Sequence, residues 1–367
     1  MANIFDRDNR LFVLACQGRR PPSALVAIAV VCVVVVFGLL PGQIPGRMVL
    51  FTVGGVPRFS SDLQLIIQPI VLNVTMFLAM FVGIWLWVRF AGKRPFWTLG
   101  WELSSAALPH IVRGMCVSVV MVGLVSGLSV ASGASFSPGL VQKFGFAAIG
   151  LRLLSLLSFL VQGPAEETLF RGWLLPVLGA RYRPWVGVVL SSTIFSLAHA
   201  LNRGIPLLGF VNLFLFGFCA AIYALREGGL WGAGAWHGVW NWTMGDLLGF
   251  TLDGSPHVGL LRSIQSHGPD IVSGGAFGPD GGLACTAVLL AGIVIIGYRT
   301  ASRRGGQMPK TLATGSLNPV SASSHHTSSG SLYSRTASFG RWAEIVRLSG
   351  STTRTRRTPI SRYSRTF

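Results

Sequence analysis

Apolar residues in this chain fall in long unbroken runs and do not alternate. Runs at about 22–40, 65–91, 107–132, 146–162, 184–202, 205–225, 230–250 and 283–300 carry few charges. Several hold 18 or more residues, enough helix at 1.5 Å per residue to cross a hydrocarbon layer about 30 Å thick. A shorter apolar run lies at 165–181. The pattern predicts eight membrane helices plus one element that is partial or merged with its neighbour. The stretch 251–282 is rich in Gly, Pro, Asp and His with no apolar period. It is expected to be an irregular loop, before a last span at 283–300.

Composition strengthens this reading. The 367 residues are 51% hydrophobic and only 11% charged, with a mean hydropathy of +0.58, far from a soluble average. The net charge of +18 would suggest nucleic acid if it were clustered on a folded surface, but it is not. From Ala301 to Phe367 there are eleven Lys/Arg and one acid, Glu344. The other bases gather at the ends of apolar runs, as the positive-inside bias places them. Charge here reports topology and a tail, and no nucleic-acid partner is expected. Arg89, Lys93 and Arg94 after the second span, and the basic tail after the last, put both termini on the cytoplasmic side of a bacterial cytoplasmic membrane, which an even number of crossings satisfies. The tail has 23 Ser/Thr in its 67 residues and too few large apolar groups to offset the entropy of ordering, so disorder is expected. Its bases would serve as a solvated linker or adhere to anionic headgroups.

The first apolar run follows Arg7, Arg10, Arg19 and Arg20, as in a signal peptide. No small-residue cleavage pattern follows at Pro41-Gly42-Gln43, so it reads as an uncleaved span. Cys16, Cys32, Cys116, Cys219 and Cys285 show no metal-ligand spacing and read as small core residues.

Candidate chemistry sits in the middle of the chain. Glu166 and Glu167 are the only acids between Glu102 and Glu227, and ionisable groups inside a membrane are costly enough to mark sites. Gly163-Pro164 before them predicts a helix break, with both carboxylates in the first turn of a new helix facing its positive dipole end. Arg171 stands at i+4 from Glu167, within pairing reach. His199 and His237 lie in separate apolar helices, and Asn241, at i+4, shares a face with His237. Counting residues from the Tyr182-Arg183-Pro184 turn puts Glu167 and His199 at nearly equal depth, whereas His237 falls short by roughly 10 Å. Together these groups supply a general base, an electrophile and an oxyanion donor at membrane depth.

The order Glu166-Glu167-x-x-x-Arg171, Phe195-x-x-x-His199, His237-x-x-x-Asn241 closely resembles the CPBP family of intramembrane proteases, which includes type II CAAX prenyl endopeptidases and Abi-type proteins. The resemblance covers roughly 146–250. The N-terminal membrane helices in 1–145 and the tail lie outside it; within the all-α polytopic membrane protein read from the apolar runs, it implies a four-helix catalytic core enclosing a polar cavity. It further implies that Glu166 activates water, that Glu167 and Arg171 organise their helix, that His199 positions the water, and that His237 and Asn241 donate to the oxyanion. Such proteins are described both as metal-dependent and as metal-free glutamic proteases. Without an HExxH pattern the residues favour the metal-free form, and if zinc is bound, His199, His237 and Glu166 are the expected ligands.

The expected function is therefore hydrolysis of a peptide bond in or near the bilayer, with a membrane protein or peptide as partner. The alternative is a catalytically idle binding or bacteriocin-immunity-type protein on the same scaffold. A proton-coupled transporter ranks below both, because it would show paired broken segments in two halves of the chain.

Overall fold

The computed structural model describes residues 4–54, 61–138, 146–257, 259 and 264–305. The tail expectation for 301–367 falls almost wholly outside them. The helices are α1 (Arg10–Ala15), α2 (Ala24–Leu39), α3 (Gln43–Gly54), α4 (Ser61–Leu86), α5 (Ala107–Ala131), α6 (Phe146–Glu167), α7 (Leu175–Arg181), α8 (Pro184–Ala198), α9 (Leu207–Glu227), α10 (Trp231–Trp242), α11 (Asp270–Ser273) and α12 (Leu283–Gly305). The all-α membrane architecture is as expected, apart from a two-stranded antiparallel ribbon, β1 (Ser135–Pro138) with β2 (Ile264–His267).

Among the described residues, four helical stretches are long and apolar enough to cross a membrane: Ala24–Thr52, Ile67–Ala91, Ala107–Ala131 and Leu207–Glu227. Pro184–Ala198 and Leu283–Tyr298 are shorter apolar helices. The 230–250 run gives the short α10, continued by a π-helical turn over Thr243–Leu247, and the α10 residues Gly232–Asn241 are all buried. Packing against α5 and α6, rather than lipid, covers its apolar faces.

Gly163-Pro164 does not break the chain. α6 continues through Pro164 to Glu167, a π-helical turn follows over Thr168–Leu174, and α7 completes the run to Arg181. The ninth apolar element is thus merged with its neighbour. Glu166 and Glu167 consequently sit at the end of α6 and not in a first turn, so the helix dipole does not stabilise them. The π-helical turn directly after them is a form common at functional sites.

α10 runs antiparallel to α6 along a glycine seam. A Cβ on Gly163 would collide with the backbone nitrogen of Gly238, and one on Gly238 with the carbonyl of Phe159. Gly234-x-x-x-Gly238 is the small-residue spacing that lets membrane helices approach backbone to backbone. The seam continues to Trp242, whose Nε1 donates to the carbonyl of Arg152 at 3.1 Å.

This seam accounts for the depth of His237. The α9–α10 turn does not lie level with Tyr182. Leu230 packs beside Gly172 and Gly100, and its N–H donates to the carbonyl of Gly100 at 3.0 Å. α10 therefore starts only five residues past Glu167 along the α6–α7 run, so seven residues of helix carry His237 back just past that level, where its side chain meets Glu167.

The described residues of the 251–282 segment are more ordered than expected. They contain β2, α11 and two 3-10 turns, Gly275–Phe277 and Pro279–Gly281. Asn212 of α9 holds the end of the segment, with Nδ2 donating to the carbonyls of Asp280 (2.7 Å) and Gly282 (2.9 Å).

Candidate active site

Glu167 is completely buried, where an unpaired charge would be costly. Arg171 NH1 donates to its Oε1 at 2.9 Å, and His237 Nδ1 approaches the same oxygen to 2.8 Å. Because a carboxylate only accepts, His237 carries its proton on Nδ1. Its Nε2 can then donate only when the ring holds both protons. The Arg171 guanidinium lies 4.3 Å from the Phe195 ring centroid, a cation–π contact strengthened by the absence of water. The Phe216 ring stands edge-on to His237 at 4.9 Å and stacks on Trp236 at 4.4 Å. Three charged or polar groups from α6, the π-helical turn and α10 are thereby locked in an aromatic cage.

Glu166, one residue earlier, is bound loosely. Gln162 Nε2 donates to its Oε1 at 3.4 Å, and its Oε2 lies 4.0 Å from His199 Nε2. His199 caps the end of α8, with Nδ1 2.8 Å from the carbonyl of Phe195. A carbonyl only accepts, so Nδ1 holds the proton and Nε2 of the neutral ring is an acceptor. His199, His237 and Asn241 line one small cavity together with Phe195, Phe216 and Trp240. Asn241 makes no side-chain hydrogen bond among the described residues, leaving its amide free to donate. The six residues singled out in the sequence, Glu166, Glu167, Arg171, His199, His237 and Asn241, thus come together from α6 with its π-helical turn, α8 and α10.

A zinc ion does not fit them. Among the described residues no three His, Cys, Asp or Glu side chains converge on one point. Glu167 occupies His237 Nδ1, and the 4.0 Å gap joins Glu166 to His199 alone.

Two acids of the same cavity escaped the sequence analysis: Asp253 and Asp280 of the 251–282 segment. Gly278-Pro279-Asp280-Gly281-Gly282 reads as a plain turn, and nothing local shows that it folds back onto α10. Trp240 Nε1 donates to Asp280 Oδ1 at 3.1 Å. Burial pushes the Asp280 carboxyl up to about 7, and the nearby negative charge of Asp253 adds to this.

The sequence of this core has known counterparts. Residues 148–243 match the family of Rce1-like type II CAAX prenyl endopeptidases. The match agrees with the sequence resemblance to CPBP-type proteases. The matched stretch holds all six clustered residues and lies inside the 146–250 region of the sequence resemblance. The chain is also 34% identical over 132 residues to an uncharacterized 24.3 kDa protein of Escherichia coli, covering 35% of this chain and 58% of that protein. It is 28% identical over 194 residues to the uncharacterized protein YyaK of Bacillus subtilis, covering 50% of this chain and 64% of that one. The chain spans less than two thirds of each relative. With its apolar helices, the protein is an integral membrane protein.

Proposed function

We propose that the protein is an endopeptidase that hydrolyses a peptide bond in or near the bilayer, using Glu166 as general base toward water. The observation that carries this reading is the 4.0 Å gap between Glu166 Oε2 and His199 Nε2 beside the cavity. It is too wide for a direct hydrogen bond and suited to one water donating to both acceptors. Glu166 takes a proton as the water oxygen attacks the carbonyl carbon. The Asn241 amide, and His237 Nε2 when that ring is doubly protonated, then donate to the oxyanion. In a water-poor cavity such donors act more strongly than in bulk. Glu167 and Arg171 do not touch substrate in this scheme; they fix the tautomer and orientation of His237. The substrate is a membrane-embedded or membrane-anchored peptide, and the positive-inside bias of the bases flanking the spans supports cytoplasmic termini.

The test is Glu166→Gln in full-length protein reconstituted with membrane peptides. The amide keeps the shape but cannot take a proton, so hydrolysis should drop by at least about 10²-fold with thermal unfolding unchanged. Undiminished hydrolysis by the variant would remove Glu166 from the mechanism. A wild type that binds peptides without cleaving them would favour an idle binding protein.

A further inference from the structure

Asp280 is a buried carboxyl fixed at both ends. Its backbone carbonyl accepts from Asn212 Nδ2 at 2.7 Å, and Asn212 is itself held by Thr286 Oγ1, which donates to its Oδ1 at 2.7 Å. Its side-chain Oδ1 accepts from Trp240 Nε1 at 3.1 Å. Trp240 lies between His237 and Asn241 on α10, so the group that grips Asp280 belongs to the same helical turn as the oxyanion donors. Asp280 lines the same cavity as His199, His237 and Asn241, is 8% exposed, and makes no salt bridge among the described residues. A structural acid in such surroundings would normally be neutralised by a base.

The groups facing it from every packed element are Asp253 from its own segment, His237 from α10 and Cys285 from α12, with His199 of α8 across the cavity. Glu166 has a general-base task at the water. The amine that leaves when the C–N bond breaks needs a proton, because a bare amide anion is too basic to depart, and Asp280 is a second carboxyl in the cavity able to supply it.

We propose that Asp280 is a further catalytic residue of this site, the general acid that protonates the departing amine. This rests on the endopeptidase reading above. The water oxygen bonds to the carbonyl carbon while one water proton passes to Glu166 and the C=O pair moves to oxygen. On collapse the C=O re-forms and the C–N bond breaks. Its electron pair stays on nitrogen, which takes the Asp280 proton. The products are a carboxylic acid and an amine, and the proton on Glu166 then returns to Asp280, restoring both groups. A carboxyl that titrates near neutrality suits this task, since it is protonated yet willing to release.

The experiment compares wild type, Asp280→Asn, Asp280→Glu and Asp253→Asn in reconstituted full-length protein. Two substrates are used, a membrane peptide and the aryl ester of its acyl segment, whose phenolate departs without a proton. Asp280→Asn should lose about 10²-fold or more in peptide cleavage, little in ester cleavage, and the basic limb of the kcat/KM profile. Asp280→Glu should recover part of the peptide activity. Asp253→Asn should move the basic limb to lower pH, because removing a neighbouring negative charge makes Asp280 more acidic. Equal loss on peptide and ester with an unmoved basic limb would reduce Asp280 to a structural role. Should Asp280→Asn not fold, an unmoved limb in Asp253→Asn overturns the proposal by itself. A wild type that cleaves neither substrate sinks the endopeptidase reading and this proposal with it, whereas wild-type peptide cleavage with a silent Asp280→Asn sinks this proposal alone.

Discussion

Glu166 and Glu167 are consecutive residues with opposite surroundings. Glu167 is sealed, with Arg171 and His237 on one oxygen and the Phe195 and Phe216 rings around its partners. Glu166 has one long hydrogen bond and a 4.0 Å gap to His199, which lines the cavity. A hundred-degree step around one helix separates a carboxylate spent on architecture from one left available for chemistry. A reactive base is useful only if its lone pairs are not already committed. A buried charge is tolerable only beside compensating groups, which Arg171 and His237 supply at Glu167 Oε1, while its buried Oε2 makes no hydrogen bond among the described residues.

This contrast can be broken from either side. The largest expected effect is on the sealed half. Arg171→Ala strands a buried carboxylate and should cost about 3–5 kcal/mol, seen as lost membrane-inserted yield and a lower Tm in detergent. Normal yield and Tm would mean that Glu167 is neutral and needs no partner. On the open half, Asn241→Ala should lower kcat by about 10²–10³-fold, the usual loss for one oxyanion donor, with Tm unaffected. If stability fell along with kcat, Asn241 would belong to the architecture instead.

The seam joining the halves is next. In Gly238→Ala the new Cβ meets the Phe159 carbonyl, so α10 must back away from α6, at about 1–3 kcal/mol. Both activity and Tm should decline, and a variant normal in both would show that the close approach is not needed to bring His237 to Glu167. The smallest effect is expected from exhaustive chelation, which should leave hydrolysis unchanged, since no three ligands converge among the described residues. Stoichiometric zinc that is lost and regained together with activity would refute the metal-free chemistry.

How much of this was legible differs along the chain. Long apolar runs carry their meaning locally, because a lipid environment demands helix from any segment that crosses it. The membrane class and most helices could therefore be read without contacts. The same holds for the Glu167–Arg171 pair, which is a matter of helical spacing. Pro164 misled, since the break it predicts depends on whether neighbours let the helix continue. The depth of His237 could not be counted from turns, because Leu230 tucks beside Gly172 instead of reaching the level of Tyr182.

The sequence by itself determined that this is a helical membrane protein, and which six polar residues its apolar core cannot ignore. Both follow from short-range physics, the cost of exposed backbone and of bare charge in lipid. Only the tertiary structure decided how the two glutamates are surrounded, and that Asp253 and Asp280 return from a distant turn to line the cavity. Those outcomes depend on which surfaces meet, and close packing of the Gly163–Gly238 seam and the Asn212 clamp settles that only once the whole chain is folded.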